Sequence, residues 1–308
     1  MTGTAPGKTL SDLPGLIKSP VLGLTLAVLF WSGNFIVGRA LREDISPLSL
    51  NFWRWVIALA ILLPFTLHSL IQYRHKLARL WLLLLSLAFT GIACFQTFVY
   101  FALITTTAVN ALLLLCLTPV LIIIGNWLLY SDRATWLQLS GMVIALSGAV
   151  WLIAHGDLHS LAALQFGTGY LWMLIAVLMW AVYSLLVKKK PADMPHTVLL
   201  SASSLIATVL MLPVALLTGQ LAVALNPQTA WGILYVAIFP SVLAFLFWNR
   251  GVALIGPSRS GVFMYLMPFF GAILSLLFLD EKIQLYQLAG GALVLGGVII
   301  LNWRQYAR

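Results

Sequence analysis

The chain has 308 residues, of which 62% are hydrophobic and only 8% are charged, and its formal net charge is +9. A soluble domain carries about 25% charged residues, so this composition excludes an ordinary soluble protein. The two cysteines lie inside apolar segments without the spacing of a zinc site, so we expect no structural disulfide, no metal and no cofactor.

Apolar segments follow one another along almost the whole chain. Each approaches the roughly 20 residues that a helix needs to cross a bilayer, so we predict an all-α membrane protein of ten transmembrane helices. The predicted spans are residues 20–38, 48–68, 81–103, 107–130, 135–154, 169–187, 197–217, 231–249, 258–279 and 284–302. No soluble domain remains for separate chemistry.

The first span carries Trp31 and Asn34, which are three residues apart and therefore share a helix face. Trp31 lies near mid-depth, beyond the usual interfacial belt of aromatic residues. A ring beside an amide suits the lining of a partly wet cavity, and plain helix packing is the alternative.

The second span contains Arg54, the costliest residue in the chain to place in a membrane, at about 2.5–3.5 kcal/mol on insertion scales. In one interpretation Arg54 reaches towards the surface and pairs with Glu43 or Asp44. In the other it faces the mouth of a cavity and attracts a substrate carboxylate.

Further polar and aromatic side chains within the spans are candidates for substrate binding. Gln96 and Tyr100 are four residues apart in span three, and Asn110 lies in span four. In the second half of the chain the candidates are Trp180, Tyr183 and Tyr265, and Asn249 and Ser260 supply comparable polar groups.

Three prolines interrupt predicted spans at Pro119, Pro240 and Pro268. A proline removes one backbone hydrogen bond and kinks its helix, so these positions are candidate gating elements. Static packing is the alternative, because prolines are tolerated in membrane helices.

The chain reads as two copies of one unit, and six pairs of landmarks share a single offset of 149 positions. The pairs are Trp31 and Trp180, Pro64 and Pro213, Pro119 and Pro268, Asp132 and Glu281, Gly141 and Gly290, and Gly148 and Gly297. Because five spans are an odd number, the second copy would enter the membrane from the opposite face. Inverted repeats of this kind are typical of secondary transporters.

Domain limits follow from this repeat. We predict a cytoplasmic tail at 1–19, a first five-helix repeat at 20–155, a second, inverted five-helix repeat at 168–303, and a cytoplasmic tail at 304–308. Of the Lys and Arg residues in predicted loops, twelve fall on the face of the termini and three on the other, which predicts that both termini are cytoplasmic. The basic charge is thus mainly topological, and we expect no nucleic-acid partner.

Motifs for catalysis or nucleotide binding are absent from the sequence, so we expect no enzyme. All eight carboxylates fall in tails, loops or helix ends. This argues against proton coupling through a buried acid and leaves a purely cationic substrate without a counter-ion.

At these residues the chain resembles the EamA family of the drug/metabolite transporter superfamily. The resemblance covers residues 20–303 and rests on an ordered set of motifs: Phe30–Phe35 with Trp31 and Asn34, Pro47 with Arg54, Ala102–Ala108, Leu117–Val120, Asp132-Arg133 with Gln138 and Gly141, and Glu281-Lys282 with Gln287 and Gly290. It implies ten helices, a central cavity between two halves, and export or exchange of amino acids and other small metabolites. Arg259 and the segment 181–183 depart from the family pattern.

We therefore predict a multi-pass transporter of the inner or plasma membrane, working as a monomer by alternating access. Small metabolites, amino acids first, are the predicted substrates. The alternatives are efflux of drugs or organic cations and, in another class, a receptor or assembly subunit that transports nothing.

Overall fold

The structure, a computed structural model, describes residues 19–106, 108–130, 135–154, 156–157, 159, 168–224, 226–279 and 285–306. Within these ranges the regular structure is helical. Six helices are long and apolar enough to cross a membrane: Pro20–Ala40, Pro47–Gln72, Trp81–Thr105, Thr168–Val187, His196–Leu217 and Pro227–Ile255.

In chain order, the α-helices are α1 (Pro20–Ala40), α2 (Pro47–Gln72), α3 (Arg74–Arg79), α4 (Trp81–Leu87), α5 (Phe95–Thr105), α6 (Ala108–Leu115), α7 (Thr118–Tyr130), α8 (Trp136–Ile153), α9 (Thr168–Val187), α10 (His196–Leu217), α11 (Pro227–Val236), α12 (Ala244–Ile255), α13 (Pro257–Val262), α14 (Leu266–Leu279) and α15 (Leu285–Tyr306). Two π-helical stretches join α4 to α5 and α11 to α12. We call Ala88–Cys94 the first π segment and Ala237–Leu243 the second.

Three of the spanning helices begin with a capping residue followed by proline. Ser19, Ser46 and Asn226 each accept a backbone N–H from the residue three positions on, at 3.3, 3.2 and 2.8 Å. The following proline lacks an N–H that would otherwise be unsatisfied in the first turn. The Asn-Pro signal starts α11 at Pro227, four residues before the predicted start of that span, and the helical run continues to Ile255 rather than 249.

The connecting segments define two faces of the helix bundle. On one face, where α1 begins and α2 ends, Tyr73 donates to the backbone oxygen of Asp193 at 2.8 Å and Lys76 pairs with the Asp193 carboxylate. We call it the N-side face. On the opposite or far face, Trp53 donates to the backbone oxygen of Leu221 at 3.0 Å.

Helices α8 and α15, one from each half, pack against each other through small residues. A Cβ added at Gly148 would come within 2.7 Å of the Gly290 oxygen, and one added at Gly297 within 2.6 Å of the Gly141 oxygen. Such close approach of two backbones requires glycine, as in many membrane helix pairs. Four glycines that mark the repeat, Gly141, Gly148, Gly290 and Gly297, thus lie where the two halves are in closest contact.

The two π segments lie at equivalent positions of the repeat, with each end displaced by the same 149 positions. In the second, Pro240 has no N–H, and the Ser241 hydroxyl donates to the Val236 oxygen at 2.6 Å. In the first, the Asn51 amide donates to the backbone oxygens of Ile92 and Ala93 at 2.9 and 3.2 Å. Each irregular stretch thus has side chains that satisfy its backbone, as hydrocarbon surroundings demand.

The prediction of ten spans is confirmed only in part. The remaining predicted spans contain shorter helices, in particular α6, α7, α13 and α14, so the number ten stays a prediction. The landmark pair Asp132 and Glu281 lies outside the described residues.

Candidate functional site

A buried polar network surrounds Arg54 in the half of the bundle nearer the far face. Arg54 Nη1 donates to the Tyr100 hydroxyl at 2.7 Å and to Asn34 Oδ1 at 3.2 Å. Its Nε donates to the Ser241 hydroxyl oxygen at 2.6 Å. Four helical runs from both repeats therefore fix the orientation of one guanidinium.

The Arg54 side chain is completely buried, and within the described residues its only polar contacts are neutral. The surface interpretation is wrong in this conformation, since Arg54 does not reach Glu43, which pairs instead with Arg42 at 3.0 Å. Arg54 Nη2 is buried and has no hydrogen-bond partner among the described residues. An unpartnered nitrogen on a buried cation is costly and is a ready donor to an anion.

Asn34 and Gln96 complete this network. The Tyr100 hydroxyl donates to Asn34 Oδ1 at 2.7 Å, and Asn34 Nδ2 donates to Gln96 Oε1 at 3.4 Å. The structure therefore brings together four of the predicted binding residues: Asn34, Arg54, Gln96 and Tyr100.

Ser241 joins the network from the second π segment and had not been predicted. Because its hydroxyl proton goes to the Val236 oxygen five residues earlier, its lone pair is left to accept from Arg54. The α-helical period used in sequence analysis does not reveal a side chain placed by a π turn. A serine directly after a mid-span proline was the available signal.

A layer of aromatic rings fills the centre of the bundle. Trp31 and Trp180, the repeat partners, meet edge to face with ring centres 4.9 Å apart, and each also contacts Phe245 and Trp248. Both tryptophans are buried, at 4% and 0% exposure. In this conformation they pack against other rings, so a role in lining an open cavity stays a prediction.

A second polar pair lies in the half nearer the N-side face. The Tyr183 hydroxyl donates to Asn249 Oδ1 at 2.8 Å. Tyr265 is buried, and its hydroxyl has no hydrogen-bond partner in the described part of the chain. Asn110 lies in α6, but its side chain is outside the described residues.

The predicted gating prolines are all buried within helical segments. Two of them adjoin side chains of α1: Trp31 Nε1 donates to the Pro240 oxygen at 3.0 Å, and the Ser32 hydroxyl contacts the Met267 oxygen, directly before Pro268, at 3.1 Å. One helix therefore touches both interrupted helices of the other repeat. The gating role of Pro119, Pro240 and Pro268 stays a prediction.

An apolar groove of about 500 Å³ opens beside α1, away from the polar network. Its lining includes Phe30, Gly33, Tyr235 and Phe239, and the Tyr235 hydroxyl donates to the Phe30 oxygen at 3.1 Å. None of the predicted binding residues whose side chains are described lines this groove, so it is not the site described above.

The model of the EamA-like transporter family matches residues 18–154 and again residues 167–303. An uncharacterized transporter of Archaeoglobus fulgidus is 28% identical over 288 residues, covering 92% of this chain and 97% of the relative. A probable terminal-alkyne amino-acid exporter of Streptantibioticus cattleyicolor is 26% identical over 294 residues, covering 95% and 96%.

A solved crystal structure has the same fold, with a TM-score of 0.74 at 20% sequence identity, covering 92% of this chain and 98% of that one. The double match to the family and the transporter names of these relatives agree with the apolar helices and the repeat. The chain belongs to the EamA-like transporter family and is a multi-pass membrane transporter for small molecules, not an enzyme.

Proposed function

We propose that this transporter carries small metabolites that bear a carboxylate, with amino acids first, and that Arg54 binds the carboxylate. The observation that carries the proposal is a fully buried guanidinium whose three described partners are neutral and whose Nη2 has none. A substrate anion would supply the missing counter-charge and a charge-assisted hydrogen bond.

The neighbouring groups suit the rest of an amino acid. Asn34, Gln96 and Tyr100 offer amide and hydroxyl groups next to Arg54. The rings of Trp31 and Trp180 offer apolar surface to a side chain, and their faces attract an ammonium group. The printed name of the Streptantibioticus relative, an amino-acid exporter, supports the same substrate class.

Alternating access is proposed as the mechanism, with the two inverted repeats rocking about the central aromatic layer. Support comes from the matched π segments and from the contacts of α1 with Pro240 and Met267, because irregular helices at mid-membrane are typical of moving elements. The proposal includes Pro119, Pro240 and Pro268 as gating positions, Asn110, Tyr183 and Tyr265 as further binding residues, and a monomer as the working unit.

Orientation is proposed from charge. The excess of Lys and Arg on the N-side face favours a cytoplasmic location for that face and for both termini, in the inner membrane of a prokaryotic cell or a plasma membrane. Export would then run from the N-side face to the far face.

The proposal is tested by thermal stability of the purified protein with added ligands. A ligand that binds only the folded state at one hundred times its Kd stabilises it by about 2.7 kcal/mol. We expect stabilisation by amino acids, none by the matching decarboxylated amines, and loss of the amino-acid effect in Arg54→Gln.

Arg42→Gln is the matched control, because Arg42 pairs with Glu43 at the surface and loses the same charge. It should keep the response to amino acids. If amino acids stabilise Arg54→Gln as well as the unaltered protein, carboxylate binding at Arg54 is refuted.

Efflux of an organic cation is the second candidate, and the central aromatic layer favours it. Trp31, Trp180 and Trp248 present ring faces that could hold a cation, although Arg54 opposes one nearby. Stabilisation by aromatic cations and not by amino acids would support this candidate and leave Arg54 a structural role.

A further inference from the structure

The two halves of the molecule contain the same hydrogen bond with its ends exchanged. In the first half the Tyr100 hydroxyl donates to Asn34 Oδ1 at 2.7 Å. In the second half the Tyr183 hydroxyl donates to Asn249 Oδ1 at 2.8 Å. Tyr183 follows Asn34, and Asn249 follows Tyr100, by the same 149 positions that relate the two repeats.

The two pairs lie at similar depths from opposite faces. Asn34 is six residues before the far-face end of α1, and Asn249 is six residues before the N-side end of α12. At 1.5 Å per residue each is about 9 Å along its helix from that end. The inverted repeat therefore places one Tyr–Asn pair towards each face.

The two Tyr–Asn pairs differ in the hydrogen bonds that surround them. The first is joined to Arg54 and Gln96, whereas around the second several fully buried polar atoms have no partner among the described residues. These atoms are Asn249 Nδ2, Ser184 Oγ, Ser260 Oγ and Tyr265 Oη. A buried polar atom without a partner costs free energy, so such a cluster indicates groups kept for a ligand or for water.

These atoms lie on neighbouring elements, because α9 packs against α12 and α12 packs against α13. Ser184 follows Tyr183 in α9, Asn249 lies in α12 and Ser260 in α13, and the last two helices are joined at Gly256. Tyr265 ends the short turn Phe263–Tyr265 that follows α13. The four side chains carry no charge, and the neighbouring Arg250 and Arg259 are partly exposed.

We propose that this cluster is a second substrate subsite, uncharged and rich in hydrogen-bond donors, which binds a substrate oxygen when the transporter is open at the N-side face. The inference rests on the proposed carrier function and extends it. The amide of Asn249 and the hydroxyls of Ser260 and Tyr265 donate to a carboxylate or hydroxyl oxygen, without the charge that Arg54 provides in the other half.

Two consequences distinguish this arrangement from a single central site. Substrate should bind more weakly from the N-side face than from the far face, because neutral donors replace a guanidinium. Removing a cluster hydroxyl should affect binding from one face only. The unliganded protein should not be destabilised, since each of these hydroxyls has no hydrogen-bond partner to lose among the described residues.

The first experiment measures the half-saturating amino-acid concentration at each face in oriented proteoliposomes for Ser260→Ala and Tyr265→Phe. For the double variant we expect the half-saturating concentration to rise about tenfold at the N-side face and less than twofold at the far face. Its thermal stability without substrate should be unchanged or higher. Ser203→Ala is the matched control, because the Ser203 hydroxyl is buried but bonded to the Leu199 oxygen of its own helix at 2.8 Å. Equal rises at both faces, or no rise at either, would overturn the subsite.

The second experiment does not depend on the substrate. In a background with Cys94→Ala and Cys116→Ala, Ser260→Cys is treated from each side with a membrane-impermeant thiol reagent. We expect reaction from the N-side face alone, and no reaction of the control Ser203→Cys. Failure of Ser260→Cys to react from that face refutes the subsite, whereas reaction without any amino-acid binding refutes only the substrate assignment.

Discussion

The half of the bundle nearer the far face and the half nearer the N-side face carry the same Tyr–Asn bond but different electrostatics. Arg54 stands beside the first pair, while its repeat partner Ser203 is neutral and bonded to its own helix. A hydrogen bond between two side chains does not depend on which helix supplies which end, so the duplication could exchange them. The charge of Arg54 has no counterpart at Ser203, so the two halves differ chemically.

Arg54→Met makes the halves alike in charge and should have the largest effect. We expect the half-saturating amino-acid concentration to rise at least about tenfold, because a hydrogen bond to a charged group contributes about 1.5–3 kcal/mol. The unliganded protein should be as stable as before or more stable, since replacing a buried charge by an apolar group is often neutral or favourable. Thermal unfolding with and without substrate measures both the loss of binding and the stability of the unliganded protein. A large loss of stability without ligand would mean that Arg54 has a structural role.

The symmetry of the repeat can be tested where the halves join, at Gly148 and Gly297. Alanine at either position meets backbone of the other helix, so each change should destabilise the protein by about 1–3 kcal/mol and by similar amounts. Gly296→Ala is the control on the same helix, since a Cβ there meets no described atom within 4 Å. Unfolding in detergent measures all three, and equal stability of Gly296→Ala and Gly297→Ala would refute the close packing.

The central tryptophans offer a finer contrast. Trp31 Nε1 donates to the Pro240 oxygen, whereas Trp180 Nε1 is buried and has no hydrogen-bond partner in the part of the chain that the structure describes. Trp31→Phe should therefore cost about 1 kcal/mol more than Trp180→Phe, because both lose similar ring surface and only one loses a hydrogen bond. Equal costs in the same unfolding assay would mean that the bond to Pro240 contributes nothing.

The smallest effect concerns the contacts that close the two faces. Lys76 forms an ion pair with Asp193 on the N-side face, whereas a neutral hydrogen bond joins Trp53 to Leu221 on the far face. The hydrogen bond from Lys76 lowers the pKa of the exposed Asp193 carboxyl. Its stabilising contribution is thus present above the ordinary aspartate pKa and is lost as the pH falls through the lowered value.

Asp193→Asn should slightly lower the unfolding temperature near neutral pH in low salt. The difference from the unaltered protein should shrink in high salt or acid, because an exposed ion pair is screened. A difference that does not depend on salt would assign the effect to the backbone turn at Asp193 instead.

Hydropathy was sufficient to locate the six clear spans, since a bilayer requires long apolar helices, and the repeat offset followed from Trp31, Pro119 and their partners. Asn34, Arg54, Gln96 and Tyr100 were recognisable because polar groups are rare inside such spans. Asn249 and Ser260 were recognisable for the same reason, and Asn249 also as the repeat partner of Tyr100. The packing of the aromatic rings could not be predicted, because it depends on the conformation that a transporter adopts.

The number of residues between the first π segment and Tyr100 is part of the binding site. A π turn holds one residue more than an α turn, so deleting Gly91 would convert the segment to α-helix and leave the residues after it in place. Each residue of an α-helix turns the chain by about 100°, so deleting Phe98 would instead turn Tyr100 away from Asn34 and Arg54, although Tyr100 itself had not been changed. Across homologues, insertions and deletions should therefore be excluded between the first π segment and Tyr100, even where substitutions on the lipid-facing surface are tolerated.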